Sequence, residues 1–244
     1  MKTIGLFRTL IPLDMKNIRR DALLLWIPLI PVVMALTLRY AIPPLAAFLA
    51  QQFNFDLTMY YTLIMSGFLA MTPTMVGMVV GFLLLDERDD RTMTALLVTP
   101  LPPGFYLFYR LSLPMMLSFI MTLIGYFIAG LQALPLGDLL VLSLLASFTA
   151  PLVALFLAGF SENKVAGMAM LKMLNGISIL PMVAYFFDSP LQMLAGIIPT
   201  YWTLKAYWLA AQGMNYTVVY VLGIVAHSVA LMLLLARFRR VLYR

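Results

Sequence analysis

Cysteine is absent from the 244-residue chain, histidine occurs once, and Asp, Glu, Lys and Arg together make up only 11% of it. The first absence excludes a disulfide framework, a thiolate metal site and a cysteine nucleophile. The second leaves His227 as the lone histidine, set within an apolar run. The scarcity of charge excludes a water-soluble domain, which carries about 25% charged residues. What the chain has instead is apolar surface, with 63% hydrophobic residues. Disorder is excluded by the same figures, because disordered segments are poor in hydrophobic residues.

A membrane span needs about 20 mostly apolar residues, so this length allows roughly six spans with short connections. Six apolar runs appear, at residues 22–38, 57–85, 111–131, 139–160, 165–187 and 216–236. The fold class expected is an all-α integral membrane protein of six transmembrane helices, forming one transmembrane domain over 1–244. Neither a repeat nor room for a soluble catalytic domain is present. The basic segment 1–21 lacks a small-residue cleavage site, so the first run reads as an uncleaved anchor. Lysine and arginine concentrate on the cytoplasmic side of bacterial-type topologies. Lys2, Arg8, Lys16, Arg19, Arg20, Arg88, Arg91, Arg110, Lys164, Arg237, Arg239, Arg240 and Arg244 all fall on one side when both termini are cytoplasmic. Arg39 and Lys205 fall outside, and Lys172 lies within the fifth run, where its stem can snorkel. The net charge of +6 then reflects topology and anionic lipid headgroups, with no call for nucleic acid as a partner.

Two flanking segments carry amphipathic patterns. Residues 4–20 place Ile4, Phe7, Ile11 and Met15 at helical spacing, with basic residues able to meet headgroups. On the outer side, loop 188–215 contains residues 199–208, in which Tyr201, Leu204 and Trp208 share a helical face and Trp202 and Tyr207 extend an aromatic belt. Both are expected to lie on the membrane as interfacial helices. Gly77 and Gly81 form a small-x-x-x-small pair, too common in spans to assign an interface by itself. Pro73, Pro114, Pro151 and Pro181 are expected to kink their helices.

The most informative stretch is 86–110, between the second and third runs. It opens with Asp86, Glu87, Arg88, Asp89, Asp90 and Arg91, continues through a short helical piece at 92–98 with Leu96 and Leu97 on its apolar face, and breaks at Thr99-Pro100. A short capped helix projecting from a membrane domain is what mechanical contact with a cytoplasmic partner needs; a solvated connection is the plainer alternative.

At these residues the chain resembles the six-span permease subunit of type-2 ATP-binding-cassette exporters. Glu87, Arg88 and Asp89 match the charged start of that family's first cytoplasmic loop, Thr92-Met93 its Thr-Leu step, Leu96-Leu97 its leucine pair, Thr99-Pro100 its break, and Arg110 its closing base. Arg91 replaces the usual glycine. The segment Ser161-Glu162-Asn163-Lys164-Val165-Ala166-Gly167, leading to Lys172, is a second similarity. The resemblance implies a translocation subunit in the plasma (inner) membrane, driven by a separate ATPase that carries ATP and magnesium. It also implies pairing with a second copy or a related permease. Glu87, Arg88, Asp89, Thr92, Met93, Leu96, Leu97, Thr99 and Pro100 would then couple to the ATPase. Independently of the resemblance, a P-loop requires a lysine after glycine, and none of Lys2, Lys16, Lys164, Lys172 and Lys205 follows one. The chain is therefore not expected to be an enzyme.

Two other classes fit the sequence less well. A metal-dependent membrane enzyme could use Asp86 with Asp89 or Asp90, but Arg88 and Arg91 oppose a dication and no second carboxylate cluster completes a site. An ATP-independent secondary transporter or channel would need ionisable groups within spans. His227 is the main candidate, and a packed histidine bonded to Ser228 or to a facing helix is the plainer reading of it. No residue identifies a substrate.

Overall fold

The computed structural model of the chain describes residues 15–16, 26, 29–89, 103–187 and 189–242, with backbone alone at 103–105 and 241–242. Every regular element among the described residues is helical: α1 (Ile30–Phe53), α2 (Tyr61–Asp89), α3 (Pro103–Ala129), α4 (Leu136–Ser147), α5 (Thr149–Phe160), α6 (Lys164–Val183), α7 (Thr200–Ala211) and α8 (Thr217–Leu242). Short 3₁₀ turns at Leu57–Tyr60, Ala184–Phe186 and Pro190–Ile197 join some of them. Among the described residues six stretches are long and apolar enough to cross a membrane, with α4 and α5 acting as one. The expected segment 4–20 falls outside the described residues apart from Met15 and Lys16, and the expected helix 92–98 falls wholly outside them.

The spans divide into a centre and a periphery. The apolar window of α2 is 83% buried and that of α4–α5 is 72% buried, against 11% for each of α1, α6 and α8. Close approach of α2 to α5 explains the centre. A Cβ at Gly77 would stand 2.3 Å from the Ala150 carbonyl oxygen, and one at Gly81 would stand 2.8 Å from Leu157 Cδ1. The glycine pair is thus an interface within the chain, where small residues let two backbones meet. Around this seam Val79, Phe82, Leu83 and Leu85 of α2 pack on Val153 and Leu157 of α5. On the opposite flank Leu84 and Val80 meet Leu155, Ala158 and Phe238.

The structure moves three sequence boundaries, each for a local reason. Helix α1 runs Ile30–Phe53, whereas the sequence placed a span at 22–38. Arg39 reads as a span end, yet its Nη1 donates to the Ile128 carbonyl near the end of α3 at 3.1 Å, so the charge is tolerated within the helix. Pro43 and Pro44 also lie inside α1, and Asn54, at φ 52°, ends it. The fourth run breaks at Phe148. Pro151 has no N–H for the Ser147 carbonyl, which faces the Ser118 hydroxyl instead at 3.5 Å.

The third change concerns the expected interfacial helix at 199–208. The helix forms, as α7, but it sits inside the bundle: Tyr201, Thr203, Leu204, Ala206, Tyr207, Trp208 and Ala210 are buried. Burial on several faces, not on one stripe, marks an inserted helix. Its amino end shares a cavity with Thr74, Thr149 and Ala230, each well inside its span. Its carboxyl end meets Tyr126 at the far end of α3 and turns out at Gly213, φ 70°. Irregular backbone at membrane depth is tolerated where protein surrounds it.

Candidate coupling site at the basic end

Helix α2 ends in Asp86, Glu87, Arg88 and Asp89, and the structure separates the roles of these four. Glu87 turns inward. Its carboxylate pairs with the Arg110 guanidinium and accepts a hydrogen bond from Tyr106, both on α3. Arg110 Nε in turn donates to the Tyr106 hydroxyl at 3.2 Å. The guanidinium also lies 5.5 Å from the Tyr106 and Tyr109 ring centroids, and Arg110 is 2% exposed. A charge so deeply placed requires a partner, and removal of one member of such a pair is far costlier than the pair is worth. Glu87 precedes the undescribed segment 90–102 and Tyr106 follows it, so this triangle ties the two stems of the loop together.

Arg88 reaches the other way, to α5. Its Nη1 donates to the Ala158 carbonyl at 3.1 Å, and its Nη2 donates to those of Ser161 at 2.6 Å and Glu162 at 2.5 Å. The last carbonyls of a helix lack intrahelical donors and carry the negative end of its dipole, so a guanidinium fits both needs. Arg237 of α8 adds a second cation there, with Nε donating to the Gly159 carbonyl at 3.3 Å and the guanidinium 5.0 Å from the Phe160 ring centroid. Two arginines from different spans therefore hold one helix end. Just beyond it, Asn163 Oδ1 accepts from the Ala166 N–H at 3.0 Å and caps α6. Lys164 pairs with Asp86 at 2.9 Å, partly exposed, which links α6 to α2.

Of the residues the sequence singled out, Glu87 and Arg88 are thus committed within the chain, while Asp89 is exposed. Thr92, Met93, Leu96, Leu97, Thr99 and Pro100 lie outside the described residues. Sequence reasoning missed Tyr106 and Arg237 as members of this network. The available signals were the four-residue spacing of Tyr106 and Arg110, which share a helix face, and the basic run ending α8. With Asp86 on Lys164 and Glu87 on Arg110, these carboxylates serve cations of the chain and do not converge on a metal. Among the described residues no group of three His, Asp or Glu does so.

His227 is fully buried, with Nδ1 2.8 Å from the Gly223 carbonyl and Nε2 3.3 Å from Thr149 Oγ1. A carbonyl only accepts, so Nδ1 donates to it, while Nε2 faces the threonine hydroxyl. The facing helix α5, not Ser228, supplies the partner. Both ring nitrogens are in use for packing. Close by, between α2, α5, α6 and α8, lies the cavity entered by Thr200, of about 140 Å³. Its walls are apolar apart from hydroxyls such as Thr74, Ser178 and Thr200. That volume suits one aromatic ring, since engineered apolar cavities of about 150 Å³ hold benzene.

Comparison with known proteins agrees with this architecture. The sequence profile of the fluoroquinolones export permease protein Rv2686c-like family matches residues 14–235. Two curated relatives, the fluoroquinolones export permease proteins MT2760 and Rv2686c from two strains of Mycobacterium tuberculosis, are each 32% identical over 229 residues. The alignment covers 93% of this chain and 91% of each relative. No solved structure matches the chain.

Proposed function

The chain belongs to the Rv2686c-like family of export permeases, and from that premise we propose how this membrane permease subunit is driven and what it carries. It works with a separate ATPase that binds ATP and magnesium, as one of two permeases in a plasma-membrane complex with the basic end and both termini cytoplasmic. Segment 92–100 docks into the ATPase, with Leu96 and Leu97 as its apolar contact and Thr99-Pro100 as its stop. Asp89 offers a charge to the partner. Glu87 and Arg88 act behind that contact as braces. The observation that carries this reading is the double tie at the loop's stems: Glu87 to Tyr106 and Arg110 on α3, and Arg88 to the carbonyls of residues 158, 161 and 162. A push on the loop passes through those ties into α2 and the α4–α5 stretch, the two most buried spans, rather than bending the loop alone. Closure of an ATPase dimer would then shift the populations of two bundle arrangements. The relatives' names point to fluoroquinolone-type cargo, a planar aromatic acid.

The test is purification of the tagged chain from its native membrane in mild detergent, with mass spectrometry of stoichiometric companions. A P-loop subunit should co-purify with the wild type. The double change Leu96→Asp with Leu97→Asp should leave membrane insertion intact and abolish that association. Retention of the ATPase by the double variant would overturn the docking assignment, and a wild type without an ATPase, where control complexes survive, would overturn the two-component reading.

A further inference from the structure

Helix α6 carries an arrangement that a lipid-facing surface does not explain. Leu174 and Ser178 face the cavity beside α2 and α5. On the outward side, Lys172, Asn175 and Gly176 are all exposed, together with Met168, Ile179 and Val183. Spacings of three and four place these on one face. At 1.5 Å per residue, Lys172 stands about 12 Å and Asn175 about 16 Å along the helix from Lys164, the residue that pairs with Asp86 at the basic end. The described residues offer neither side chain a hydrogen bond or an ion pair. Arg39, Arg88, Lys205 and Arg237, by contrast, all have partners. A Cβ at Gly176 would meet nothing within 4 Å, so the face has a shallow notch beside the two polar groups.

Ionisable and amide side chains inside spans face protein or a water-filled cavity, because hydrocarbon cannot solvate them. Snorkelling relieves a lysine near a helix end, but asparagine is too short to do the same from mid-span. A tight seam between two copies fits poorly as well: if Lys172 lay close to a two-fold axis, two ammonium groups would oppose each other. A water-filled path with this face on its wall satisfies the lysine, the asparagine and the notch together.

We infer that the Lys172–Asn175–Gly176 face of α6 lines the translocation path between two permease copies, with Lys172 as the recognition point for the carboxylate of an amphipathic, aromatic cargo. The inference deepens the permease reading and rests on it. A carboxylate is the complementary charge, Asn175 supplies a neutral donor and acceptor one turn on, and the notch at Gly176, with the exposed Met173 and Ile179 three residues to either side, admits a ring. Two copies would bring two such cations to the path, which favours anionic cargo over cationic.

The absence of native cysteine makes the first arm direct. Single cysteines at Lys172, Asn175 and, as a lipid-facing control, Val225 of α8 are reacted in membranes with a charged, water-soluble methanethiosulfonate. Reaction at 172 and 175 should be at least tenfold faster than at 225. Equal rates, or rapid Asn175→Cys disulfide formation between copies in place of labelling, would overturn the water-lined path. The second arm measures binding of a fluoroquinolone free acid and its methyl ester to the purified chain in nanodiscs. The wild type should prefer the acid. Lys172→Gln should weaken the acid about tenfold and leave the ester unchanged, Lys172→Arg should restore the preference, and Arg239→Gln should change neither. Equal weakening of both probes, or of neither, would overturn the recognition role. Binding and labelling need no ATPase, so their failure is distinguishable from failure of the two-component reading, which is judged by co-purification.

Discussion

The two ends of the bundle are held by different chemistry. At the basic end, guanidinium groups meet a carboxylate and a row of helix carbonyls: Arg110 on Glu87, Arg88 on the carbonyls of 158, 161 and 162, Arg237 on that of 159. At the opposite end Arg39 on the Ile128 carbonyl, Lys205 on Gln192 and Tyr216 on Asp138 stand beside a cluster of neutral ties. Gln132 Oε1 accepts from Thr62 at 2.9 Å and from Tyr207 at 3.4 Å, which leaves the Tyr126 hydroxyl, 3.2 Å away, to donate to Tyr207. Trp202 Nε1 donates to the Gly196 carbonyl at 2.9 Å, and Tyr185 packs edge-on against Trp208 at 5.0 Å. Charged bonds are roughly twice as strong as neutral ones and lose more when one member goes. The basic end is thus the more stiffly tied one.

That contrast is open to direct attack. The largest effect is expected from Glu87→Gln, which strands the buried Arg110 charge. About 3 kcal/mol of stability should be lost, read as a drop in Tm of the detergent-purified chain, and the charge swap Glu87→Arg with Arg110→Glu should recover part of it. Arg88→Ala should come next, at about 2 kcal/mol for bonds donated by a charged group. It should also uncouple export from ATP hydrolysis while the ATPase still co-purifies, because the docking segment itself is untouched. A variant that kept coupling would break the assignment of Arg88 as a brace. At the neutral end, Tyr207→Phe should cost only about 1 kcal/mol in the same melting assay. An equal loss at both ends would erase the distinction.

Smaller still is the effect of pH at the neutral end. Tyr216 donates to Asp138 at 2.6 Å, and burial, then that bond and the carboxylate's charge, push its phenol up to about 12. Folding therefore favours the protonated form, so its contribution is whole below pH about 10, the ordinary phenol value, and fades as pH rises through about 12. Tyrosinate absorbance of the wild type minus that of Tyr216→Phe should show one late-titrating phenol; a group titrating near 10 would mean the Asp138 bond is absent in solution.

Much of this was legible in the sequence. Charge-free runs of span length predicted six crossings, and the crowding of arginine at alternate run ends predicted that one end would be basic. His227 as a packed histidine also followed from its isolation, although its partner Thr149 lies 78 positions away. The errors share a cause. Arg39 looked like a span end because hydropathy is read along one chain, and the Ile128 carbonyl that accommodates it belongs to another helix. Residues 199–208 looked interfacial because their aromatic pattern is the same whether the rings face headgroups or other helices. Gly77 and Gly81 carried no assignment until Ala150 and Leu157 were seen against them.

The sequence by itself determined the six apolar stretches of span length and the basic end. These depend on transfer between water and hydrocarbon, which each segment undergoes nearly independently. Only the tertiary structure decided that Glu87 and Arg88 face inward, that α2 and α5 form the centre and that α7 is buried. Those outcomes depend on which carbonyl, ring or glycine a neighbouring helix brings within bonding distance, and no local pattern carries that information.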